Sequence, residues 1–408
     1  MLDQPLVDIK VLDLTHYIPG PYCTKLLADF GAEVIKVEKP GTGDLARRMG
    51  PFPDDVPHLE KSGLFLHLNT NKLGVTLDLR TDTGQKILKE LVKDIDILVE
   101  NFRPGVMASW GLSYEELCKV NPNLIMTSIS NFGQNGPYRD FKGTELTLFA
   151  MGGRMNSFGL PDREPLKLGG VQHQYQAGNC AAMATMFAYY GRRYGDVGSQ
   201  YIDVSIYETI MASYNSRMQN LTTYAYTGER VVRLSDSSAG YPIGWFPTKD
   251  GYVNITGNTY MWPRTAAMLG HPELADDPRF AKEGQFNPDS CDEFLTTMWY
   301  PWLMERTALE AVEEAQKHGL LAAVFNTIDR VVEVEQFKVR GFFQEVAHPE
   351  AGKFTYLGAP FGPYKAARDW WRIRYPAPLL GQHNEEIYCG RLGYAKEDLL
   401  RLCEQHII

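Results

Sequence analysis

The stretch VLDLTHYIPGPYCTKLLADFGAEVIKVEKPG, residues 11–41, decides how this chain folds. Its first strand begins slightly earlier, in VDIKVLDL (7–14), a short run dense in Val, Ile and Leu, as expected of a strand buried on both faces. THYIPGPY follows as a loop punctuated by Pro and Gly, and residues 23–30 read as a helix. GAEVIKVEKPG (31–41) is a second strand that stops at a Pro-Gly break. This is a βαβ unit whose first loop lies at the carboxyl end of the first strand, where open α/β sheets bind ligands. The loop lacks the GxGxxG spacing, which argues against a nicotinamide dinucleotide.

Working outward, the rhythm repeats. GVTLDL (74–79) is a strand, 81–93 an amphipathic helix, DIDILVEN (94–101) a strand, and 113–120 a helix behind a Ser cap. NLIMTSISNFG (123–133) is another strand, AGNCAAMATMFAYYGR (177–192) a helix rich in small residues, and QYIDVSIYE (200–208) a further strand. A mostly parallel sheet wrapped by helices satisfies this alternation. YPIGWFPTKDGYVNIT (241–256) predicts a hairpin about Lys249-Asp250-Gly251, residues 258–335 read as helical, 338–375 suggest more strand, and the tail predicts two closing helices.

Composition bounds the function. The chain has 408 residues, 41 Lys plus Arg against 50 Asp plus Glu, and a net charge of −9. That balance argues against nucleic acid as the main partner. The six cysteines (23, 118, 180, 291, 389 and 403) have neither CxxC nor zinc-site spacing, and read as reduced thiols of a cytoplasmic protein with no metal. The amino terminus carries no secretory signal pattern. Residues 169–191 hold no Asp, Glu, Lys or Arg, but their three Gln, a His and an Asn make them too polar to span a membrane.

Six motifs in order carry a resemblance. Residues 11–44, LNTNKLGVTLDLR (68–80), DILVENFRPGVMASWGL (96–112), NPNLIMTSISNFGQNGPY (121–138), GSQYIDVSIYE (198–208) and APLLGQHNEE (377–386) are together similar to the class III coenzyme A transferases, the family of formyl-CoA and carnitine CoA-transferases and 2-methylacyl-CoA racemases. The resemblance implies an α/β fold with a Rossmann-like large domain from both chain ends (1–220 and 336–408), a smaller α+β domain (221–335), and two interlocked chains. It implies coenzyme A or an acyl-CoA as substrate, with no covalently bound cofactor. The phosphate contacts it suggests are Lys39, Asn71, Lys72, Asn101, Phe102, Arg103 and Lys142. Cations and exposed amides are the groups that phosphates select. Ser109 stands where many relatives carry Arg.

The family's reaction begins with an aspartate attacking a thioester to give an acyl anhydride. In relatives this residue precedes the small-residue helix in a G-D-x-x-x-G segment. Here the segment is LGGVQHQYQAG (168–178), and Gln174 occupies the nucleophile position. A neutral amide cannot form the anhydride. No Asp or Glu occurs between Pro165 and Arg193 to replace it. Glu145 matches a supporting glutamate of the family, and His173 is an adjacent candidate base. Ile18 and Pro19 supply no side-chain amide where some relatives have Gln, and SSAGYPIG (237–244) lacks the glycine run that closes over the intermediate in relatives. The pattern is most similar to the non-nucleophilic subunit of a heteromeric member such as succinyl-CoA:benzylsuccinate CoA-transferase, which acts in anaerobic aromatic degradation. It implies a heterodimer or heterotetramer with an active paralogue, acting on a small organic acid. A homodimeric racemase or lyase with other catalytic residues, and a non-catalytic CoA-binding protein, are the alternatives.

Overall fold

A computed structural model describes residues 4–195, 197–212, 215–230, 233, 242–257, 259–281, 287–360 and 370–408. The chain divides into two compact units. The larger comprises Met1–Phe158, Leu166–Val231 and Val339–Ile408, and the smaller Gly159–Pro165 and Val232–Lys338.

The larger unit is a parallel six-stranded sheet of order β3-β2-β1-β4-β5-β6. Its strands are β1 (Lys10–Asp13), β2 (Glu33–Glu38), β3 (Lys72–Thr76), β4 (Ile97–Glu100), β5 (Ile125–Ser130) and β6 (Gln200–Ser205). Period-two alternation splits each strand between two cores. Leu12, Ile35, Val75 and Leu98 pack with Ile87, Leu88 and Leu91 of helix α3 (Asp82–Val92) on one side. Val11, Val34, Ile97 and Val99 pack on the other with Leu27 and Ala28 of α1 (Pro19–Asp29) and Ala177 and Ala181 of α7 (Gln172–Tyr194). Shorter helices α2 (Gly63–Leu68), α4 (Val106–Ser109), α5 (Tyr114–Cys118), α6 (Glu145–Met151) and α8 (Ile206–Ala212) complete the unit.

Two boundaries differ from the sequence expectation in ways that matter for the site. Helix α1 starts at Pro19 rather than at residue 23, because proline suits the first helical position, where no N–H partner is needed. Helix α7 starts at Gln172 rather than at residue 177, which places His173 and Gln174 on its first turn. The two helices pack closely, and Gly178 is required there, since a Cβ would lie 2.6 Å from the Pro19 carbonyl oxygen.

The C-terminal motif LGQHNEE is explained by the sheet edge. β3 is an edge strand whose free amides need partners. The N–H of Gly74 donates to His383 Nδ1 at 3.0 Å, that of Thr76 donates to Asn384 Oδ1 at 2.9 Å, and the Tyr388 hydroxyl donates to the Thr76 carbonyl at 2.7 Å. The C-terminal segment thereby closes the edge. A separate antiparallel hairpin pairs Phe343–His348 with Gly352–Leu357.

The smaller unit holds an antiparallel sheet, β7 (Ile243–Pro247), β8 (Tyr252–Thr256) and β9 (Leu321–Val324), over a core of Trp262, Phe280, Phe294 and Trp299. The hairpin turns at Lys249-Asp250-Gly251, but the stretch read as wholly helical contributes β9. Four apolar residues in a row cannot announce by periodicity whether they are strand or helix.

Candidate active site

The chain runs from β1 to β2 to β3, then crosses to β4 on the other side of β1. At that reversal the loops after β1 and β4 diverge, leaving a crevice at the carboxyl ends of the strands. Two cavities lie there. The larger, about 660 Å³, is lined among others by Tyr17, Asn101, Phe102, Arg103, Glu145 and Gln174. The other, about 480 Å³, is lined by Lys39, Asp44, Arg48, Arg80 and Trp110, and shares His16, Leu45 and Phe102 with the first.

Buried charge shapes the walls. Asp13, at the end of β1, accepts from Lys72 Nζ at 2.9 Å, Thr24 Oγ1 at 2.6 Å and the Thr15 N–H at 2.9 Å. Burial alone would raise its carboxyl, but Lys36 and Lys72 hold it well below the ordinary carboxylate range. Lys36 Nζ lies 2.9 Å from Asp44 and also donates to the Thr15 carbonyl at 2.8 Å. Arg47 lies across the Phe65 ring and forks onto Glu38 at 2.7 and 2.8 Å, with no side-chain surface exposed. Isolated charges would be prohibitively costly here; closed into pairs, they fix the loops that form the crevice.

The first strands place Lys39 at the smaller cavity and Asn101, Phe102, Arg103 and Lys142 at the larger. Lys72 and Asn71 line neither cavity. Lys72 is buried within β3, its ammonium filled by Asp13, the Pro21 carbonyl and Asn69. Asn71 is equally enclosed, donating to Asp29 and to the Arg372 carbonyl while its oxygen accepts the N–H groups of Arg374 and Tyr375. Both amide and ammonium are consumed in folding. Arg48, Arg80 and Arg139 reach the cavities instead. Arg80 closes the LNTNKLGVTLDLR motif, so a signal for it was present. Ser109 donates to the Val106 carbonyl at 2.7 Å and lines neither cavity.

Gln174 and Glu145 share the larger cavity; His173 does not line it. The imidazole is fully buried, stacked on Phe149 with centroids 4.9 Å apart, and its Nδ1 lies 2.5 Å from Glu145 Oε1. The His173 N–H donates to the same oxygen at 3.0 Å. Burial pushes the Glu145 carboxyl up, yet the two His173 bonds prevail and hold it below its ordinary value. His173 thus stands behind Glu145, away from the cavity lining. Most of the loop 237–244, including the shortened glycine segment, lies outside the described residues.

The sequence model of CoA-transferase family III matches residues 6–384. The chain belongs to CoA-transferase family III. Among curated family relatives, the succinyl-CoA–D-citramalate CoA-transferase of Chloroflexus aurantiacus is 35% identical, over 99% of this chain and 98% of the relative. The formyl-CoA:oxalate CoA-transferase of Streptomyces avermitilis is 31% identical over the full length of both. A CaiB/BaiF family protein from Brucella suis superposes with a TM-score of 0.80 at 28% identity, covering 95% of this chain and 99% of that one. The family uses CoA thioesters as substrates. Among the described residues no helix is long and apolar enough to cross a membrane, and no cluster of three or more His, Cys, Asp or Glu is placed to hold a metal.

Proposed function

We infer that this chain is the non-nucleophilic subunit of a heteromeric family III CoA-transferase. It binds an acyl-CoA of the succinyl-CoA type, and its paralogous partner carries the aspartate that moves CoA to an organic acid such as benzylsuccinate. The observation that carries this reading is the cavity itself, which presents Gln174 where an acyl-accepting carboxylate is needed. Of the two carboxylates that line this cavity among the described residues, Glu145 has an oxygen committed twice to His173, and Asp140 is exposed beside Arg139. Lys39, Asn101, Phe102, Arg103 and Lys142 line cavities that suit the phosphates and the pantetheine arm of CoA. The succinyl-CoA relative makes a C4 dicarboxylyl donor the natural first choice.

A partner chain, in the interlocked arrangement of the family, is supported by helix α7. Met183, Phe187, Tyr190 and Tyr194 recur at spacings of one helical turn and stand more than half exposed, an apolar stripe too large for solvent.

The test is CoA exchange between succinyl-CoA and benzylsuccinate by the purified chain. Alone it is expected to be inactive, Gln174→Asp is expected to gain turnover, and co-expression with a family paralogue that keeps the aspartate is expected to restore full activity. Robust exchange by the isolated wild-type chain would instead establish a homo-oligomeric enzyme with redirected residues.

A further inference from the structure

Residues 14–18 cross from β1 to α1 along the wall of the larger cavity, and Tyr17 there has φ +73°. A bulky side chain rarely adopts this left-handed backbone, and where it persists the surroundings enforce it. They do so here on both flanks. The Tyr17 N–H donates to Asp44 Oδ1 at 2.8 Å, and Asp44 is held in turn by Lys36 at 2.9 Å. The preceding residue is clamped reciprocally, His16 N–H to Asn101 Oδ1 at 2.9 Å and Asn101 Nδ2 to the His16 carbonyl at 2.8 Å. Gly or Asn would relieve the backbone at no cost to these bonds. The position carries a phenol instead.

The strain delivers that phenol to the cavity wall shared with Gln174 and Glu145. Burial and the Glu145 charge push the hydroxyl above its ordinary value, so it stays a protonated donor. It makes no hydrogen bond among the described residues. Neither neighbouring side chain can substitute: Ile18 is buried and apolar, and Pro19 carries no donor. We propose that Tyr17 is an acyl-binding residue whose hydroxyl donates to the thioester carbonyl oxygen of a bound acyl-CoA. The inference rests on the acyl-CoA reading of the cavity but not on which subunit performs turnover.

Titration calorimetry on the full chain separates the two. Wild type and Tyr17→Phe are titrated with free CoA, with succinyl-CoA, and with its thioether analogue, in which a CH2 replaces the thioester carbonyl. Loss of one hydrogen bond is expected to weaken succinyl-CoA about fivefold to tenfold, while CoA and the thioether, which serve as the folding control, change less than twofold. Equal weakening of all three ligands, or of none, overturns the role of Tyr17 and leaves the acyl-CoA reading standing. Failure of the wild type to bind any of the three overturns both.

Discussion

His173 Nδ1 and Glu145 Oε1 stand 2.5 Å apart across the junction of α7 and α6, with the His173 side chain fully buried and that of Glu145 9% exposed. The pair ties the first turn of the long helix to the start of the short one. Gln174, the next residue along, is thereby fixed at the cavity wall whether or not it has chemistry to perform.

Glu145→Gln removes the charge from this junction. A charge-assisted hydrogen bond of this kind contributes about 1.5–3 kcal/mol, and a loss of that size is expected in urea unfolding at neutral pH. The Glu145 carboxyl lies below its ordinary value of 4.5, so its stabilisation is present above that pH and disappears as the pH falls through the lowered value. The variant's deficit should therefore shrink in acid. A deficit independent of pH would show that shape alone matters at this position.

Glu100 titrates in the opposite sense. It is buried at the end of β4, in register with Ser128 of β5, which is in turn in register with Asp203 of β6. Burial pushes its carboxyl up to about 7, Asp203 adds to this, and the Ser128 hydroxyl and Phe102 N–H only partly offset it. The folded-state value exceeds the ordinary 4.5, so the stability associated with the neutral acid is complete below that pH and is lost as the pH rises through about 7. The expected decline is on the order of 3 kcal/mol. Glu100→Gln should flatten the unfolding free energy between about pH 4.5 and pH 7, the ordinary and folded-state values; an unchanged slope would assign the dependence to other groups.

Lys72→Met leaves Asp13 in the sheet with one cation fewer. Breaking a buried pair from one side typically costs about 3–5 kcal/mol, and a drop of that size is expected in chemical denaturation. Asp13→Asn in the same chain should recover part of it. A mild effect on stability with a large loss of CoA affinity would return Lys72 to the phosphate site.

Arg103→Ala and Lys39→Ala probe cations that line the two cavities, and both are exposed, so the fold should tolerate them. Each is expected to weaken CoA binding by roughly tenfold, more at low salt than at high, as read by calorimetry. Asn71→Ala should lower the melting temperature instead, with CoA affinity in the surviving folded protein unchanged.

Phe187→Asp with Tyr190→Asp places charge on the apolar stripe of α7. Light scattering is expected to show a shift to the monomer, with the secondary structure seen by circular dichroism retained. An unchanged mass would exclude this helix face from subunit contact.

The parallel sheet was legible because its evidence is local. Val-, Ile- and Leu-rich runs of strand length alternate with segments of helical period, and right-handed crossovers leave few ways to assemble them. The motif order likewise named the family, and the absence of any acidic residue between Pro165 and Arg193 is a property of the sequence alone. What the sequence could not decide was the direction of individual side chains. Lys39 and Lys72 look equivalent on paper, each beside a strand in a motif that carries the family resemblance; yet Lys39 lies just past the end of β2 and faces solvent, while Lys72 begins β3 and points at Asp13, 59 residues away. Strand register and that long-range pairing settle which cation faces the cavity. The same holds for Tyr17, whose left-handed backbone depends on Asp44 and on the Asn101 clamp beside it. Composition and spacing thus determined the parallel α/β architecture and the family resemblance singled out Gln174, while only tertiary structure decided which residues surround it, because burial, register and the pairing of charge are properties of the assembled chain.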